Sequence, residues 1–187
     1  MTQTITSDLV EAYSLCPRKA FLLMAGTEAS LGPHDYERVI RDQAEVNRHA
    51  HRVRLAEAGE VVPFGGVDDL IAGREVLADA ELTAGGMQAR CDFLTKVNES
   101  SRLGPFSYAA VKVIGTCRAS RSDVLGLAYQ GLILGDVQGR QPLSGTLILR
   151  GDHPRKVKLA GKYKEVRRIV ETLRAWAEAP AVARRSC

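Results

Sequence analysis

An α/β fold, a mixed β-sheet flanked by helices behind an N-terminal helical segment, is what the sequence predicts, and three observations predict it. Leu9, Ala12 and Cys16, and then Tyr36, Val39, Ile40, Ala44, Val53 and Ala56, recur at helical spacing in the first third of the chain. Between Met87 and Thr116 the pattern changes to the alternation and the Tyr, Val and Ile content of strands. Near the end, Tyr163, Val166, Ile169, Val170, Leu173 and Trp176 share one face of an amphipathic helix, with cations over the rest. Helices, hairpin, helix, strands and helix in that order suit a sheet covered by helices.

The elements follow in turn. Ser7 is placed to cap a first helix with Asp8 in its first turn, and Pro17 suits the first turn of a second helix running to Met24, which sets Cys16 at the corner between them. A long polar helix spans Asp35 to Ala58, with Gly59 as its stop. Val61 and Val62 make a short strand, Gly65-Gly66 a turn, and Val67 to Ala80 reads as a further helix. Met87 to Val97 and Phe106 to Thr116 pair as a hairpin across the turn-rich segment 100–105. Ser120 or Ser122 caps a helix from Asp123 to Val137 that ends at Gly139, and Leu143 to Arg150 and Arg155 to Leu159 are two more strands. The last helix covers Gly161 to Ala177.

With 187 residues and 45% apolar content the chain can bury one core and reads as one domain, residues 1–59 helical and 60–187 the α/β part. No apolar run approaches the roughly 20 residues that cross a bilayer, and the N-terminus lacks a basic-then-apolar signal, so the expectation is a cytoplasmic protein with no membrane partner. Four cysteines in such a setting argue against a disulfide framework, and no CxxC pair marks a metal knuckle. The glycines of Leu134 to Pro142 are not a phosphate loop, since no Gly-Lys-Ser/Thr follows. Net charge is a modest +4, but cations crowd the end of the chain, among them Lys156, Lys158, Lys164, Arg167 and Arg168. Such a face either attracts a phosphate backbone or is a solvated helix surface.

The hydroxyl-rich start, the short helix with Leu9 and Tyr13, the run Cys16-Pro17-Arg18-Lys19 and the apolar helix after it resemble the opening of RecB-like nucleases of the PD-(D/E)XK superfamily. The resemblance is to the iron-sulfur branch shared with CRISPR-adaptation exonucleases and bacterial two-subunit helicase-nucleases. It implies a restriction-endonuclease-like sheet, Mg2+ or Mn2+ as cofactor, and single-stranded DNA as substrate. It also implies a 4Fe-4S cluster held by one early and three late cysteines. Cys16 and Cys187 are the corresponding positions here, which leads to the expectation that the chain is the N-terminal part of a longer protein carrying the other ligands and a helicase or second nuclease domain.

In that family an aspartate on the first hairpin strand and an acid-x-Lys triplet on the second form the metal site. Asp92 matches the aspartate and Lys112 the lysine, but the acid position is Ala109 or Ala110, and a methyl group has no ligand oxygen. Glu45 and His49, four apart on a helix, are candidates for an extra ligand, with His51 competing; Lys96 or Arg118 could replace a catalytic cation. Tyr129 fits the family's helix tyrosine contacting the site or the DNA, whereas Gln130 is not spaced as that motif requires. Three readings follow: a metal-dependent nuclease with a displaced acid, a catalytically silent nucleic-acid-binding module, and a protein-interaction or structural domain.

Overall fold

A computed structural model describes residues 3–26 and 35–178 of the chain. The described residues form seven strands and six helices in one mixed sheet. In chain order these are β1 (Ile5–Thr6), α1 (Ser7–Leu15), α2 (Pro17–Met24), α3 (Asp35–Ala58), β2 (Val61–Pro63), α4 (Val67–Ile71), β3 (Val76–Ala84), β4 (Met87–Val97), β5 (Ser107–Val113), α5 (Arg121–Gln138), β6 (Ser144–Leu149), β7 (His153–Lys158) and α6 (Tyr163–Glu178). The α/β class with a helical N-terminal segment is therefore as expected. Among the described residues no helix is long and apolar enough to cross a membrane.

The sheet runs β2-β3-β4-β5-β6-β7, with β1 joined to β4. Neighbours β2 and β3, β5 and β6, and β1 and β4 are parallel; the other pairs are antiparallel. Helix α5 supplies the crossover that parallel β5 and β6 need. Its ends obey local chemistry. Ser120 and Asp123 form a reciprocal capping box, and Gly139 closes the helix in the left-handed conformation at φ 70°. Its hydrophobic residues run all round, and it is buried accordingly, under the main core of α1, α5, α6 and one sheet face. A second, smaller core of Ala78, Phe93, Val111, Val113 and Ile148 lies on the other face, where Leu55 of α3 packs.

Two expectations are corrected. The helix read from Val67 to Ala80 stops at Ile71; Gly73, at φ 68°, turns the chain, and Val76 to Ala84 is a strand between β2 and β4. The apolar residues of 76–82 satisfy either period in so short a run, and pairing with β4 decides for the strand. The residue capping α1 is Thr6 rather than Ser7, and Thr6 makes no side-chain capping bond.

Strands β3 and β4 share an irregularity that places the site. Ala78 and Phe93 face the small core, yet Ala80 and Cys91, two residues along, face the large one. Alternation would put residues two apart on the same face. Between them Asp79 takes φ 55°, opening a twist beside Asp92. Along its other edge β4 pairs with β1 at residues 87–88 and with β5 at 93–97, so positions 89–92 face a gap in the sheet between the two strands.

Candidate active-site cleft

That gap opens into a cleft of about 600 Å3, walled by the start of α1, the middle of α3, β3, β4, the end of β5, and α5. Asp92 lies in it, where a carboxylate in the middle of an apolar strand must be compensated. Its Oδ2 accepts from the Val113 amide at 2.7 Å, and its Oδ1 accepts from Arg48 Nη1 of α3 at 3.3 Å. Burial still dominates and raises the Asp92 pKa; the Val113 amide, Arg48 and Lys112 oppose the rise.

Lys112 sits on β5 facing α5, and its ammonium group is paired with Glu11 of α1. Both approach one another over Gly126: a Cβ there would overlap Glu11 Oε1 and lie 2.8 Å from Lys112 Nζ. Burial raises the Glu11 pKa against the pull of Lys112. Burial works to lower the Lys112 pKa, but the charge and hydrogen bond of Glu11, with Asp123 and Asp92 behind, more than offset it, so the net shift is upward. Sequence reasoning missed Glu11 and Arg48, because each comes from a helix far away in sequence. A signal for Glu11 existed in Gly126, a glycine within an apolar helix, which marks close approach.

The remaining expected residues are spread more widely. Glu45 lines the cleft but is tied to Arg48, whose hydrogen bond lowers its pKa. His49 is exposed on α3 and is not part of the cleft wall, while His51 Nδ1 lies 2.5 Å from Asp152 Oδ1 at the β6–β7 turn. Ala110 is fully buried in the main core and Ala109 is half-buried, its carbonyl accepting from Thr95 Oγ1; neither lines the cleft. Lys96 pairs with Glu75 and stacks over Phe106, and Arg118 is exposed beyond β5. Tyr129 is buried, its hydroxyl donating to the Ile5 carbonyl at 2.6 Å, which fixes β1 to α5. Cys16 is exposed at the α1–α2 corner; Cys187 lies outside the described residues. Cys91 is buried, and burial pushes its thiol pKa far up, away from reactivity.

The basic residues form a separate surface. Lys156 and Lys158 project from β7, an edge strand exposed along nearly all its length, and Lys164, Arg167 and Arg168 project from α6. Among the described residues none of these five takes part in an ion pair.

For the cation that the family resemblance implies, the test is what the cleft carboxylates already hold. Both Asp92 oxygens accept hydrogen bonds, Glu45 is paired with Arg48, and Glu11 with Lys112. The oxygens are of the hard type that Mg2+ and Mn2+ favour, but protein cations occupy the charge of these three carboxylates, which as arranged do not fit a divalent ion. Asp8 and Glu81, which also line the cleft, take part in no ion pair among the described residues. The chain matches no family model, and no curated protein matches it.

Proposed function

We propose that the chain is a nucleic-acid-binding domain on a RecB-like nuclease scaffold whose catalytic cleft is neutralised by its own cations. The observation that carries the reading is the set of unpaired cations on β7 and α6, on a surface separate from a cleft in which Asp92, Glu45 and Glu11 are already paired with cations. Phosphate oxygens would take the ion-pairing capacity that Lys156, Lys158, Lys164, Arg167 and Arg168 leave unused. With few exposed aromatic residues for base stacking, contacts are with the backbone and carry little sequence preference. Arg48 on Asp92 offsets part of the cost of burying the carboxylate, the place a metal would take in an active relative.

The test is affinity for single-stranded DNA at low and moderate salt, for the natural chain and for one with Lys156, Lys158, Arg167 and Arg168 changed to Ala. Removing each cation that neutralises a phosphate should flatten the dependence of log affinity on log salt by about 0.7. Undetectable binding at low salt would favour a protein-interaction role. Mn2+-dependent cleavage by the natural chain, abolished by Glu11→Gln, would overturn the silent reading and make Glu11 the displaced acid.

A further inference from the structure

Among the described residues, two buried side-chain polar atoms have no hydrogen-bond partner, Ser7 Oγ and Gln130 Oε1, and both residues line the cleft. Gln130 is 3% exposed, and its Nε2 donates to the Arg90 carbonyl at 2.8 Å. A carbonyl only accepts, so the orientation of the amide is fixed and Oε1 is left needing a donor. That carbonyl belongs to the part of β4 facing the gap between β1 and β5. Ser7 is the first residue of α1, and Thr6 caps the helix without a side-chain bond, so no capping side chain occupies the first-turn amides, and Thr6, Ser7 and Asp8 line the cleft. Orphaned buried polar groups cost stability, and an entrant that offers an acceptor to Ser7 Oγ and a donor to Gln130 Oε1 would relieve both.

The chemistry of that entrant follows from the donors and acceptors. Amides at a helix N-terminus favour an anion, and Arg41 borders the same space, with Arg90, which stands 3.5 Å from Asp79, and Arg48, which is also paired with Glu45 and Asp92. Asp8 and Glu81 also line it, and carboxylates would repel a bare anion but accept from hydroxyls. Ser7 Oγ can donate while Gln130 Oε1 can only accept, and a hydroxyl, being donor and acceptor at once, satisfies both. The volume of about 600 Å3 suits a ligand of nucleotide size. None of the five basic-face residues lines this cleft, which makes it a second site.

We infer that the cleft binds a phosphorylated sugar, its phosphate at the first turn of α1 with the cleft arginines and a sugar hydroxyl between Ser7 Oγ and Gln130 Oε1. The same chemistry is offered by a free nucleotide or sugar phosphate and by one unit of an RNA strand.

The experiment is an amide-resolved NMR titration of the full chain with ribose 5-phosphate, 5′-AMP, adenosine and a short oligoribonucleotide, with thermal melting of each variant. Ribose 5-phosphate and AMP should shift the Ser7 to Val10 amides and the Gln130 side chain, and adenosine should bind about tenfold more weakly for want of charge-assisted bonds. Ser7→Ala should weaken ribose 5-phosphate about three- to tenfold while leaving Tm unchanged or higher, since it removes a buried hydroxyl without a partner. Gln130→Met tests the acceptor in the same way. An oligoribonucleotide that binds much more tightly than AMP identifies the strand as the source; equal affinity identifies the free ligand. The inference is overturned if no probe shifts these amides, if adenosine binds as well as AMP, or if Ser7→Ala lowers Tm and leaves the affinity intact.

Discussion

Asp92 is an acid inside an apolar strand and Lys112 a lysine inside the next, and each is completed by a helix residue, Arg48 or Glu11, that arrives through tertiary packing. The consequence is a pH dependence with a definite sign. Burial raises the folded-state pKa of Asp92, so the folded chain holds this proton to higher pH than the unfolded chain does. The stability this contributes is present in the ordinary carboxylate range and is lost as pH rises through the raised value. Glu11 acts in the same sense. Glu45, whose pKa is lowered, acts in the opposite sense, but it is exposed and screened. Lys112, raised, keeps its contribution through neutral pH and loses it only in alkali. Asp92→Asn removes one of the two acid-side terms while its carbonyl can still accept from Val113. Between about pH 7 and about pH 4.5 the Tm of this variant minus that of the natural chain should therefore fall as the solution is acidified. A difference that grows on acidification would show that Asp92 is not held above its usual range.

Elements with strong punctuation were read well, and those that depend on pairing were not. Ser120 and Gly139 bracket α5, and Gly59 follows α3, where local chemistry alone marks the ends. For β3, Gly73 was the signal and the neighbouring strand the deciding partner; β1, two residues long, exists only by pairing with β4. Gly126 shows how an element shapes the cleft. In a helix interior Ala is favoured over Gly by about 1 kcal/mol, so glycine here sacrifices helix stability to admit the Glu11–Lys112 pair. The atoms a new Cβ would meet are the far ends of two flexible side chains, which can swing aside. Gly126→Ala should accordingly gain about 1 kcal/mol in helix propensity yet lose more by separating the largely buried pair, for a net destabilisation of about 1–3 kcal/mol. The reporter is the Lys112 ammonium followed by NMR: with Glu11 displaced, burial is left less opposed and its pKa should fall. An unchanged Lys112 titration would mean that the pair does not need the glycine.

For the molecule as a whole, the sheet and its main helical layer form one unit and α3 is attached to it by a different kind of contact. Helix α5 is buried nearly throughout, whereas α3 has one fully buried residue, Asn47, whose Nδ2 donates to the Ile114 carbonyl at 2.7 Å. Its other attachments are mostly polar: the ion pairs of Arg48 with Asp92, Arg52 with Asp79 at 2.9 Å and Arg54 with Asp152, and the hydrogen bond between His51 and Asp152. Tyr36, Val39, Val46 and Val53 remain exposed on it. The amphipathic reading of this helix found its length but not its inner face, because the residues turned inward are largely polar. Segments held by exposed hydrogen bonds and few apolar contacts open below the free energy of global unfolding. The closest backbone approach is at Gly115, where a Cβ would overlap the Ile40 carbonyl oxygen and stand 3.1 Å from the Ala44 amide nitrogen. Both are main-chain atoms of α3 and have no rotamer by which to move away. Gly115→Ala should therefore lift α3 from the sheet, destabilising the chain by about 1–3 kcal/mol. In hydrogen exchange the amides of α3 should lose protection while those of α5 keep theirs, and added salt should widen the gap by screening the ion pairs. Equal loss of protection in α3 and α5 would instead show that α3 unfolds only with the core, and that Arg48 cannot leave Asp92 while the sheet stays intact.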